Sequence, residues 1–334
     1  MSEEMVKINQ EMLMVIEINQ EMLMVIEDHG LVKPYVIMHA GAESSWEIFD
    51  KDFKNFRSLP TIPSSDYCFF HSDKETISVG TQLIVIGREI EGIVVFRYEL
   101  ENNKWFRGPL MITPRVMYGS ASDGKTVFFA GGIQMDDNGN PIVVRTVEKY
   151  NADTKMWTMI YGMHKSRKFS SGCFLRGKFY VLSGRNENDK HLTCGERYDE
   201  ATNSWELIPG MLKDINFITS SQAPPLIAVV DDNLYLLEIS LNELRIYDIN
   251  TNVWKKLGSV PVSANAVFGW GVTFKSMGDR LLVVGTSHSW SRTTVFYSCQ
   301  RSPYVEEQHW EELKYWCDDT ELPRFIHNCC VMFA

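Results

Sequence analysis

The side chains best able to do chemistry in this chain of 334 residues form no catalytic signature. Its eight histidines make no HxH or HExxH pair and its seven cysteines no CxxC spacing, so the usual zinc ligand sets are missing. There is no GxSxG elbow and no phosphate loop, and the GWG of Gly269–Gly271 lacks the third glycine of a dinucleotide loop. Asp136 and Asp137 in QMDDNGN have the oxygens for calcium, but an Asp/Asn/Gly run is also the ordinary composition of an exposed turn. The expectation is a protein without catalysis, cofactor or metal.

What remains is positive charge in an acidic chain. The net charge is −10, which argues against nucleic acid or an anionic membrane as the main partner, yet cations recur at related places. Arg88, Arg115, Lys165, Arg167, Lys168, Arg185, Lys190, Arg292 and Arg324, with Asn186 and Trp290, are the candidate binding residues. They are spread along most of the chain, so only a repeating architecture would bring them to one place.

Such a repeat is written in the aromatics. Tyr98 and Trp105, Tyr150 and Trp157, Tyr198 and Trp205, and Tyr247 and Trp254 share one seven-residue spacing. With 13 tyrosines and 9 tryptophans, chance supplies fewer than one such pair. Phe49 and Phe56 keep the spacing with phenylalanines, and Tyr297 opens a copy whose partner, Trp310, is delayed by an insertion. The first aromatics fall about 50 residues apart and mark six units. The fourth reads SSGCFLRG, KFYVLSGR, CGERYDE and SWELIPG: four short runs rich in β-formers, separated by Gly, Asn and Asp. Each unit is therefore read as a four-stranded antiparallel sheet, with the tyrosine on its third strand and the tryptophan on its fourth.

Gly131–Gly132 after an apolar strand, followed by the Tyr/Trp pair, resembles the kelch repeat, one blade of a β-propeller. More closely, IGREIEGIVVFRYELENNKWFRGP, GKFYVLSGRNEND, LTCGERYDE and WELIPGMLKD are similar to plant F-box/kelch-repeat proteins across residues 31–334. The glycine doublet is intact in one unit alone, and the fifth carries Leu237 and Glu238 in its place. The fold implied is an all-β, six-bladed kelch propeller at 31–334. Residues 1–30, with INQEMLMVIE duplicated at 8–17 and 18–27, are expected to form a helical extension.

The ends predict how the ring closes. The first unit has room for PYVIMHA, WEIFDK and NFRSLP but no innermost strand, while the final FIHNCCVMFA aligns with first-strand segments and has no blade of its own. The C-terminal strand should complete the first blade and remove its edge.

In such a blade, the inter-blade connections and the loops between second and third strands emerge on one face, which is where the cations fall. An arginine-rich mouth suits an acidic or phosphorylated segment of a target protein. For Arg115, Arg167 and Arg324, just ahead of innermost strands, bracing between blades is the competing role. The resemblance implies the substrate-recognition part of a cullin-type (SCF) E3 ubiquitin ligase receptor in cytoplasm or nucleus. The family's F-box is not recognisable in residues 1–30, which leaves the Skp-type adaptor and cullin in doubt as partners. The alternatives are a stand-alone kelch scaffold or competitor, and a propeller enzyme with its site at the central mouth. The seven cysteines, Cys173, Cys329 and Cys330 among them in apolar runs, read as reduced thiols.

Overall fold

The computed structural model describes residues 32–40, 46–218, 221–264, 268–287, 294–300, 308–314 and 326–334. The extension at 1–30 and the candidates Trp290, Arg292 and Arg324 lie outside the described residues.

The described residues form six four-stranded antiparallel sheets, blades I to VI in chain order, each running outward from an innermost strand. In blade IV the strands are Ser171–Leu175, Lys178–Leu182, Gly195–Asp199 and Ser204–Ile208. Every innermost strand contacts those of the blades before and after it, so the six close a ring. Blade I draws its innermost strand, Ile326–Phe333, from the far end of the sequence, where it pairs with Pro34–Ala40 from Pro34 opposite Phe333 to Ala40 opposite Ile326. The expected closure is thus formed.

The core lies between blades. Six apolar clusters occupy the six seams; at I–II, Ile37 and Ile48 meet Leu83, Val85 and Phe96, while at VI–I Val36 and Phe49 meet Leu282, Val284 and Phe296. Alternate residues of one strand therefore serve opposite seams, as the two-residue period of a strand requires. Second strands are covered on both faces, which is why they read as unbroken apolar runs. Leu83–Ile86, Val127–Ala130, Phe179–Leu182, Leu234–Leu237 and Leu281–Val284 are almost wholly buried.

The aromatic spacing now has its cause. Tyr98, Tyr150, Tyr198 and Tyr247 stand directly opposite their tryptophans across the third and fourth strands, with ring centroids 5.1–5.2 Å apart. Each indole also reaches into the preceding blade's exit. Trp105 Nε1 donates to the Pro60 carbonyl (2.6 Å), Trp157 to Pro109 (2.9 Å), Trp205 to Tyr161 (2.7 Å) and Trp254 to Met211 (2.8 Å). One residue thereby packs a hairpin and ties a seam. Phe49 and Phe56 are likewise opposite each other, rings 5.6 Å apart. The sixth unit departs from expectation: Tyr297 pairs in register with Glu312, and Trp310 joins it only by packing in the V–VI seam. The insertion consumes the tight hairpin, leaving a two-residue fourth strand, Glu311–Glu312.

Three of the tyrosines finish their hydrogen bonding in the hairpin turn. Tyr98, Tyr198 and Tyr247 donate to the side-chain oxygens of Asn103, Asn203 and Asn252 (2.8, 2.7 and 2.8 Å), each in a left-handed conformation that asparagine tolerates well. In blade III that position is Lys155, at φ 57°, and the buried Tyr150 hydroxyl has no acceptor among the described residues. Lys155 lies 3.7 Å from Glu99 in a surface pair of small worth. Lys155→Asn should therefore stabilise the protein by about 1 kcal/mol, the ordinary worth of a buried hydrogen bond. A thermal midpoint that fails to rise would count against the missing acceptor.

Candidate functional site

The loops that carry the candidate residues are held at close quarters by backbone. At the end of the second strand of blade III, Gly131 (φ 72°) sits where a Cβ would come within 2.4 Å of the Arg167 carbonyl, and the Gly132 amide donates to that carbonyl at 2.7 Å. Only glycine allows this approach. Lys168 and Arg185 then pair through their backbones, Arg185 Nη2 donates to the Ser221 carbonyl (2.8 Å), and Ser221 Oγ donates to the Phe268 carbonyl (2.7 Å). A chain of hydrogen bonds thus links the connections of blades III to VI around one mouth.

Inside that girdle sit two buried ion pairs of the same design. Arg115 and Arg167, each four residues ahead of an innermost strand, bond Glu148 and Glu196, each two residues before the hairpin tyrosine; all four side chains are fully enclosed. Arg167 Nη2 lies 2.6 Å from Glu196 Oε1, and its Nη1 donates to the Ser183 carbonyl at 2.7 Å. Glu196 also accepts the amides of His164 (2.6 Å) and Lys165 (3.1 Å), as Glu148 accepts those of Ile112 (2.8 Å) and Thr113 (2.9 Å). These carboxylates fold the connections down onto the blade. Blade V reverses the chemistry: Arg245 occupies the Glu position on the third strand, and Glu238, standing where the glycine would be, pairs with it.

This placement corrects the binding assignment of Arg115 and Arg167, whose guanidinium groups are sealed within the fold and paired there with carboxylates. Arg185, 6 % exposed, is similarly engaged with the Asp189 carboxylate (3.1 Å) and His191 Nε2 (2.9 Å). Burial, and then the Arg185 charge, hold His191 below its ordinary pKa, which suits its acceptor role. Lys168 reaches Asp189 at 3.1 Å and holds that carboxyl below its usual range. Asn186 uses its side-chain oxygen to cap the amides of Asn188 and Lys190 (both 3.0 Å). Of the described candidates, Arg88, Lys165 and Lys190 present exposed side chains on this face.

Apolar exposure here was not anticipated from sequence. Among the described residues, the large exposed apolar side chains outside the outermost strands all fall in inter-blade connections or loops between second and third strands. Ile90 (75 % exposed), Tyr67 (73 %), Tyr161 (65 %), Phe268 (51 %) and Trp270 (45 %) are among them, as is Met117. A short helix, Tyr67–His71, capped by Asp66, carries Tyr67, and an extra hairpin, Ile133–Met135 with Pro141–Val143, projects from blade III. The turns of the opposite face, such as Asp123–Lys125 and Asp231–Asp232, contribute none. The sequence signal was present in DYCFFH and FGWG, aromatic clusters in connections, of which Phe69 alone is drawn into the core beside Phe96.

Cys173 and Cys329 lie on innermost strands, away from this surface. Burial pushes Cys173 up to about 12 and Cys329 to about 11, which keeps both as inert thiols.

Comparison with known proteins agrees with this architecture. The Kelch motif family matches residues 166–212, from the connection bearing Arg167 to the exit of blade IV. F-box/kelch-repeat protein At3g27150 of Arabidopsis thaliana is 54% identical over 310 residues, covering 92% of this chain and 73% of the relative. F-box/kelch-repeat protein At1g26930 of the same plant is 36% identical over 309 residues, 86% of this chain and 68% of the relative. Kelch-like protein 36 of Mus musculus is 23% identical over 189 residues, 57% of this chain and 30% of its own length.

Proposed function

This chain belongs to the F-box/kelch-repeat family, and from that footing we propose that its propeller selects a target protein for a cullin-type ubiquitin ligase. The kelch propeller is an interaction module, and target choice is the part of ligase work that such a module performs. One observation carries the placement of the site: exposed aromatic and aliphatic side chains gather on the face of the connections and leave the opposite turns polar. Apolar side chains exposed on one face support an interaction surface there, and tyrosine and tryptophan are favoured anchors.

The chemistry of the target follows from the composition of the face. Trp270, Phe268 and Tyr67 offer apolar anchorage, while Arg88, Lys165 and Lys190 supply mobile cations around it. An apolar segment flanked by acidic or phosphorylated residues would satisfy both. The aromatics would contribute most of the affinity, and the cations would act chiefly on the rate of encounter and on salt dependence.

Affinity capture from plant extract, quantified by mass spectrometry, tests this reading with three forms of the protein. A Trp270→Ala/Phe268→Ala variant should lose a specific partner at least tenfold, and an Arg88→Glu/Lys165→Glu/Lys190→Glu variant should weaken the same partner in a salt-dependent manner. A Skp-type adaptor or cullin recovered with the unaltered chain would support the ligase role. A folded aromatic variant with an unchanged partner list would move the site off this face.

A further inference from the structure

A second site lies on the axis of the ring. The innermost strands enclose a channel that widens into a cavity of about 660 Å3. Sites that enclose small organic ligands commonly measure about 300–1,000 Å3. The cavity is bordered by Gly80–Thr81 and Gly124–Lys125, turns between first and second strands, so it opens on the face opposite the exposed aromatics.

Its lining mixes hydroxyls, from Ser120 and Ser276 among others, with apolar side chains such as Phe174 and Val229. Lys275, from the innermost strand Thr273–Met277 of blade VI, is exposed within this channel. Among the described residues its ammonium makes no hydrogen bond and no ion pair, although eighteen other ion pairs hold the fold together. Glu75, on the innermost strand of blade II with that of blade I between it and blade VI, accepts the Met117 amide with its carboxylate at 3.1 Å. At the rim, Lys125 faces Asp153 at 4.0 Å. A cation in a narrow channel with low-dielectric walls concentrates its field on whatever enters.

We propose that this channel binds small organic acids, with the carboxylate on Lys275 and the apolar body along Phe174 and Val229. One unpaired ammonium inside the channel, with Lys125 facing Asp153 at the rim, suits a monoanion; a phosphate dianion would call for a fork of arginine donors, and the described lining holds no arginine. The site is separate from the target face and stands independently of the ligase reading.

The full chain can be titrated calorimetrically with 4-phenylbutyrate, and with 4-phenylbutanol as its uncharged counterpart. The acid should bind saturably and at least tenfold tighter than the alcohol. Lys275→Met should remove that preference and leave the alcohol unaffected, whereas Lys275→Arg should preserve it. Absence of saturable binding, or equal affinity of the methionine variant and the unaltered protein for the acid, overturns the proposal. Should the methionine variant unfold, the acid and alcohol compared on the unaltered protein still decide: equal affinities reject the site.

Discussion

Deleting residues 326–334 should abolish the single cooperative unfolding of the ring and bring the soluble yield close to zero. The strand Ile326–Phe333 supplies the whole inner edge of blade I, and Ile326, Cys329, Cys330 and Met332 are buried in the two seams that flank it. Burial of an aliphatic side chain is worth about 1.5–3 kcal/mol. Together with the lost ladder, the deletion approaches the roughly 5–15 kcal/mol that separates a folded domain from its unfolded chain. It also uncovers Pro34–Ala40 as a long edge strand, a template for aggregation. Differential scanning calorimetry and binding of a hydrophobic dye would report the change. A truncated protein that stays soluble and melts in one sharp transition at the original midpoint would show that blade I closes by other means.

Arg167→Ala should cost about 3–5 kcal/mol, the penalty of leaving a buried carboxylate without its counter-charge. Glu196 has no access to solvent and would keep the amides of His164 and Lys165 and the His164 ring at Nδ1, but no guanidinium. The Ser183 carbonyl would lose the donor that anchors the start of the blade IV loop. Lys190→Ala, at an exposed loop position of the same blade, should change stability by no more than ~0.5 kcal/mol. Urea midpoints for the two variants, measured beside the unaltered protein, separate the roles. If Arg167→Ala and Lys190→Ala behave alike, the bracing assigned to Arg167 is wrong, and partner binding becomes its better explanation.

The frame was readable because its signals are local. Tyr198 and Trp205 are seven residues apart since a third strand, a tight turn and a fourth strand take that many, and second strands such as Lys178–Leu182 advertise two-sided burial by composition. Closure was legible by counting strands at the two ends. The site was harder because a charge acquires its role from another blade element. Arg167 looks like a ligand-binding cation until Glu196 is placed against it, 29 residues later. A trace of this coupling was in the sequence: the blades with an arginine four residues ahead of the innermost strand also carry EKY or ERY on the third. Blade V, with Arg245 at that place, shows that sign alone does not settle which partner is acid. Trp310 misled for a related reason, since an insertion breaks the link between spacing and register.

The indole ties between blades bear on how such proteins diversify. In all four, the acceptor is a main-chain carbonyl, at Pro60, Pro109, Tyr161 and Met211, and every amino acid offers that atom. Drift in the identity of those connection residues therefore leaves the bond intact, while loss of a tryptophan does not. The physical constraint is thereby divided: strict on the indoles, permissive on the connection residues that supply the carbonyls. A gene copy can explore new partners without first re-inventing the ring.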